Sequence, residues 1–385
     1  MRTLKSTPAL LVAGLASLLA CAEAESQVEQ GGEAAAAKQV NVPFSTRGWK
    51  TDFSKHSVPL GEIMSGGPPK DGIPAIDQPE FVALAEADGW LGDREPVVVI
   101  ERNGTVRGYP WQILIWHEIV NDEVGGEPVS VTYCPLCNTA IAFDRRVGDR
   151  ILDFGTTGKL RHSDLVMYDR QTETWWQQAT GEAIIGELTG TSLKFLSAPT
   201  VSWADFKKAY PAAVVLSRET GHNRPYGQSP YGGYDTGQPF LFRGQSDGRL
   251  PTMARVVVVK LGEAAVVYPL ETLRKEKAIN HQVGAAPVVL FYRAGIASAV
   301  DTRRIADGRD VGATAVYLRT VDGRSLSFRA FADGYTDIET GSRWSFFGEA
   351  VEGPLAGQRL EQAVHYTPFW FAWAAFAPET PIYGM

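Results

Sequence analysis

The sequence predicts an α+β protein, mostly antiparallel β-sheet, built as two lobes from an internal duplication. Three observations carry that prediction. Short β-branched runs are separated by turn residues, as at 97–101 and 106–109 on either side of Asn103-Gly104. Helical stretches are few and short, and two of them open on a proline, Pro110 and Pro269. The stretch from Val97 to Tyr133 recurs at a constant offset of 159 residues.

From the N-terminus, Arg2 and Lys5 precede an apolar run at 9–20 that is too short to span a bilayer, the pattern of a signal peptide. Leu18-Leu19-Ala20-Cys21 is similar to a lipobox, so residues 1–20 are expected to be removed and Cys21 to be lipidated. Residues 21–39, rich in Ala, Glu, Gln and Gly, have little to bury and read as a disordered tether. The protein is therefore expected to be exported, a membrane-anchored lipoprotein facing the periplasm or the cell exterior. It would touch the membrane through its N-terminal lipid only. Residues 40–79 form an N-terminal extension, 80–216 the first lobe, 217–249 a Gly/Pro/Tyr-rich connector and 250–385 the second lobe.

In the first lobe the hairpin leads into a helix at 110–120, then strands at 129–133, 140–145, 151–154 and 165–168. A second short helix at 203–210 stops before Pro211. In the second lobe Val256-Val257-Val258 through Tyr268-Pro269 repeats the hairpin. Asn280, Val283, Gly284, Pro287, Val288 and Tyr292 meet Asn121, Val124, Gly125, Pro128, Val129 and Tyr133. At an offset of 167, Gly348-Glu349-Ala350 matches Gly181-Glu182-Ala183 and Trp370 matches Trp203. The connector holds Arg224-Pro225-Tyr226-Gly227 and Tyr231-Gly232-Gly233-Tyr234. It reads either as an ordered spacer packing tyrosines between the lobes or as a lid over the first lobe.

Charge narrows the partners. The chain carries 37 Lys+Arg against 44 Asp+Glu, and this acidic balance argues against a nucleic-acid partner. A small ligand or a metal ion remains. Comparing the lobes shows where: positions shared by both maintain the fold, and positions changed in one are free for something else. Cys134 and Cys137 face Arg293 and Ile296, His117 faces Glu276 and Trp116 faces Lys275. The Cys134-Pro135-Leu136-Cys137 turn is thus a feature that the fold does not require.

Three readings of that pair stay open: a structural disulfide, a redox dithiol and a metal site. As metal ligands the candidates are Cys134, Cys137, His117, Met167 and His162, a set suited to copper or, with a fourth ligand, zinc. A c-type haem is disfavoured because Asn138, not His, follows Cys137. Trp116, Arg224, Tyr226 and Trp176 are candidates for a ligand pocket. His365 reads as a satellite ligand or a surface residue. No G-x-S-x-G motif supports a hydrolase built on His117 and Glu118, so whether the protein is an enzyme stays open. The other reading is a non-catalytic ligand-binding or scaffold protein of the cell envelope.

Trp116-His117-Glu118-Ile119-Val120-Asn121-Asp122 and Val131-Thr132-Tyr133-Cys134-Pro135-Leu136-Cys137-Asn138 resemble the bacterial and archaeal family catalogued as domain of unknown function 3179. Leu165-Val166-Met167-Tyr168-Asp169-Arg170, Trp175-Trp176-Gln177-Gln178 and Arg224-Pro225-Tyr226-Gly227 are similar to it as well. The resemblance implies an exported location and a two-lobe fold, and it implies no substrate. Some members carry Thr-Gly where this chain has Cys137-Asn138.

Overall fold

The computed structural model describes residues 42–385. Cys21, the signal peptide and the tether lie outside the described residues. The α+β, mostly antiparallel architecture is present. The first hairpin, Pro96–Arg102 with Thr105–Pro110, turns at Asn103-Gly104, where both residues take positive φ (48° and 76°) as a two-residue hairpin of this hand requires. It is the centre of a five-stranded sheet completed by Thr200–Ser202, Val214–Leu216 and Phe81–Ala83. Val214–Leu216 runs parallel to Thr105–Pro110, against the antiparallel trend.

Helix Trp111–His117 follows directly, its entry set by Pro110 at φ −65°. It ends three residues short of the expected 120. Glu118 turns left-handed at φ 59°, its N–H bonds back to Leu114 O, and Ile119 is already in a strand. Ile119–Val124, Glu127–Cys134, Thr139–Asp144 and Lys194–Leu196 form a four-stranded sheet. A further five-stranded sheet runs Ile63–Ser65, Phe154–Arg161, Asp164–Asp169, Trp175–Gln177 and Glu182–Ile185. The N-terminal extension is therefore part of the fold. It supplies an edge strand, and it packs Phe44, Trp49 and Phe53 around Trp175 at 4.8–5.4 Å between ring centres.

The second half repeats this succession. Val256–Leu261 pairs with Ala264–Pro269, helix Leu270–Glu276 ends at Lys277 with φ 65°, and Ala278–Val283, Ala286–Arg293 and Ala313–Leu318 form the next sheet. The side-chain fastenings repeat too. Asn121 donates to Phe154 O and accepts from Phe154 N; Asn280 does the same with Phe328. Asp169 accepts from Thr172 and from Trp176 Nε1, as Asp337 does from Thr340 and Trp344 Nε1.

The named strands of every sheet come from one half, but the hydrophobic interior does not respect that boundary. Val98, Tyr109 and Leu114 share a core with Val256, Ala299 and Trp370, and Val97, Trp203 and Phe206 share another with Phe291, Tyr317 and Trp344. The connector is ordered and joins the halves. Ser229, Gly233 and Tyr234 donate backbone N–H to Arg303, Asp301 and Val300 of the second half, while Trp116 of the first donates to Gln228 O.

Candidate metal centre

The cysteine turn joins Glu127–Cys134 to Thr139–Asp144 with Cys134 opposite Thr139. Asn138 closes it at φ 55°, a left-handed conformation that Asn tolerates better than most side chains. The second half clamps this turn: Phe369 N donates to Cys137 O at 2.9 Å, and Asn138 Nδ2 donates to Thr367 O at 2.8 Å. The connector covers it, with Tyr234 Oη donating to Leu136 O at 2.9 Å. Held on both sides, the sulfurs face inward, and Cys134 and Cys137 are buried.

They face the neighbouring hairpin. Phe154–Arg161 and Asp164–Asp169 are joined by His162-Ser163, both at positive φ (51° and 72°), which brings Ser163 O to 3.7 Å from Cys134 Sγ and 3.5 Å from Cys137 Sγ. Asp164 follows, fully buried. Its Oδ2 accepts from Gln177 Nε2 at 2.5 Å and Ala179 N at 2.9 Å, while Oδ1 has no hydrogen-bond partner. The two sulfurs and a carboxylate oxygen of Asp164 all lie within 4.8 Å of one another.

Burial sets the electrostatics. Desolvation raises Cys134 and raises Cys137 well above the ordinary thiol range, despite the Cys137 N–H that faces the Cys134 sulfur. It pushes Asp164 up to about 6. Glu118 stands close enough to repel Asp164 and is pushed up to about 8 by its burial and that neighbour. The two thiols thus keep their protons until something positive replaces them, beside a carboxyl whose own proton is held up to about 6. Among the described residues the cysteines are free thiols, not a disulfide. Buried thiols held in the protonated form are poor nucleophiles for thiol–disulfide exchange.

Asp164 was missed by sequence reasoning, because the constant offsets that aligned the cysteines do not reach it and only the hairpin register of the structure does. Asp164 follows the two-residue turn that pairs it with Arg161; in the second half the corresponding residue, opposite Phe331, is Gly334. Of the other proposed ligands, the structure brings none into this group. His117 is fully buried, but Nδ1 faces Pro74 O at 2.7 Å and Nε2 faces Tyr226 Oη at 2.7 Å. A carbonyl can only accept, so Nδ1 carries the proton and Tyr226 donates to Nε2. Burial lowers His117 to about 4, which keeps this neutral tautomer. His162 turns away to Glu62 at 3.3 Å. Met167 is buried three residues beyond Asp164 on the same strand, where alternation points it to the opposite face.

The expected ligand pocket also divides. Trp176 is a core residue with its one polar atom on Asp169. Trp116 is half-buried under Gln228, and the Arg224 Nε is buried without a partner. Tyr226, bonded to His117, lines an open cleft. His365 is buried, not on the surface, with its nitrogens facing Ala363 O and Thr314 O.

No curated protein and no solved structure matches the chain. The family model described as "Protein of unknown function (DUF3179)" matches residues 70–380, most of the chain, and the protein belongs to that family.

Proposed function

We propose that this member of the family binds one divalent metal ion through Cys134, Cys137 and Asp164. The observation that carries the reading is the buried convergence of two sulfurs and a carboxylate oxygen within 4.8 Å, with Asp164 Oδ1 otherwise unpartnered. The two thiols face this carboxylate with their protons, and a cation would take the place of those protons. Two thiolates with one carboxylate favour Zn(II): the oxygen donor is too hard for Cu(I), and zinc accepts S and O ligands tetrahedrally. Three protein ligands leave the fourth position to water or to a small ligand.

We further propose that the protein acts outside the cytoplasm, tethered by lipid on Cys21, and that its halves arose by duplication. The signal-like N-terminus and the repeated fastenings support these readings.

Elemental analysis of the purified chain, beside a Cys134→Ser/Cys137→Ser double variant and Asp164→Asn, tests the assignment. One zinc per chain is expected, absent from the double variant and bound at least ~10-fold more weakly by Asp164→Asn. No metal in the wild-type chain, as purified and after incubation with zinc, would contradict it.

A further inference from the structure

We propose that the cleft between the two halves and the connector is a binding site for a small organic or inorganic oxyanion. The cleft encloses about 630 Å³, within the range of small-molecule sites, and is lined by Trp90, Glu95, Arg218, Tyr226, Arg303 and Arg304. All three parts of the chain contribute to it: Trp90 and Glu95 from the first half, Arg218 and Tyr226 from the connector, Arg303 and Arg304 from the second half.

Its charge is unbalanced. Among the described residues neither Arg218 nor Arg303 has a carboxylate within ion-pair distance, and Arg304 has only a loose 3.8 Å contact with Asp307. Asp88, at the rim, is already paired with Lys207. Glu95 is buried at the base and engaged by Gly92 N at 3.1 Å and Gln112 Nε2 at 2.7 Å. Among the described residues Glu95 is the one acid that acts on Arg218 and Arg304 from within the cleft, and a single buried carboxyl does not balance three guanidinium groups.

The floor is built, not incidental. Arg218 lies over the Trp90 ring at 4.7 Å and is held by Gln112 Oε1 through Nε at 2.9 Å and by Trp90 O through Nη2 at 3.2 Å. Gln112 itself is fully buried and ties Arg218 to Glu95. With Nε and Nη2 taken up in this way, Arg218 Nη1 carries no hydrogen bond among the described residues, and a guanidinium held in place keeps one nitrogen to donate to a carboxylate or phosphoryl oxygen. Arg303, anchored by Gln228 Oε1 at 3.0 Å, lines the same cleft from the second half. Gly227, at φ 85°, passes close beneath: a Cβ there would sit 3.4 Å from Arg218 Nη2.

Isothermal titration calorimetry of the purified chain with benzoate, citrate and inorganic phosphate tests this site. Saturable one-to-one binding of at least one probe is expected, with the strongest probe separating carboxylate from phosphoryl recognition. Arg303→Ala and Arg218→Lys should each weaken it at least tenfold, the second although the charge is kept. Arg324→Ala, on an exposed hairpin away from the cleft, should bind as wild type. Failure of all three probes to bind saturably would overturn the proposal. So would equal affinity in wild type and both cleft variants, or an equal loss in Arg324→Ala, which would mark general charge attraction.

Discussion

At the residue scale, two buried groups decide what the protein can do. His117 was readable as a candidate from its place beside the cysteine turn in sequence, but its nitrogens are both taken. Its folded-state pKa, about 4, lies below the ordinary value of 6.5. Between these values the unfolded chain binds the proton and the folded chain does not, so stability contributed by neutral His117 is lost as pH falls from 6.5 towards 4. The loss is on the order of 2–3 kcal/mol. Glu118, raised to about 8, contributes with the opposite sign, losing stability as pH rises, so the His117 contribution is read as a difference. Urea unfolding of wild type and His117→Gln at pH 7 and pH 4.5 should show the gap between them narrow at the lower pH. A gap that stays constant or widens contradicts a neutral buried His117. Tyr226→Phe should cost about 1–2 kcal/mol at pH 7 in the same measurement, the worth of the hydrogen bonds to His117 and Thr220 that it removes.

At the element scale, the sequence shows the strands and hairpins but not their fastenings. Alternation and Asn103-Gly104 are local signals, and they placed the hairpins within a residue or two. The helix end at Glu118 was not legible, because a left-handed Glu gives none of the usual stop signals of Gly or Pro. Asp164 was not legible for a different reason: it acts across a hairpin turn whose register no local pattern prints. Asn121 and Asn280, by contrast, stood out as a repeated identity, and the structure gives the cause. Each fixes both backbone groups of a phenylalanine on another sheet. Asn121→Ala should destabilise by about 2–3 kcal/mol in denaturant unfolding, since it strands a buried N–H and carbonyl, and Asn280→Ala by about 1–2 kcal/mol, since its pair is only partly buried. An effect under half a kcal/mol in either would show that the fastening is dispensable there.

At the scale of the whole molecule, repetition in sequence suggested two lobes, yet the cores run through both halves. Trp370 and Val258 pack with Val98 and Leu114, and Phe291 with Val97 and Trp203. Hydrogen-bonded ladders are specified by sequence neighbours, whereas the faces that those sheets bury are specified by whatever covers them. A chain ending at residue 249 would expose these faces. It should fail to give a cooperative unfolding transition, and the full chain should unfold in one step by circular dichroism and fluorescence alike. Independent folding of that fragment would contradict the shared core. The same arrangement explains the metal centre: the cysteine turn belongs to the first half, but Phe369, Thr367 and Tyr234 hold it from outside.

Cobalt reports thiolate ligation directly, through sulfur-to-metal charge-transfer absorption in a tetrahedral site. Titration of the metal-free chain with Co(II) should give this band, saturating at one equivalent and reversed by zinc. It should fall by about half in Cys137→Ser, and its visible bands should shift in Asp164→Asn. Absence of a charge-transfer band in the wild-type chain with both thiols reduced would contradict the central claim that Cys134, Cys137 and Asp164 form a metal centre.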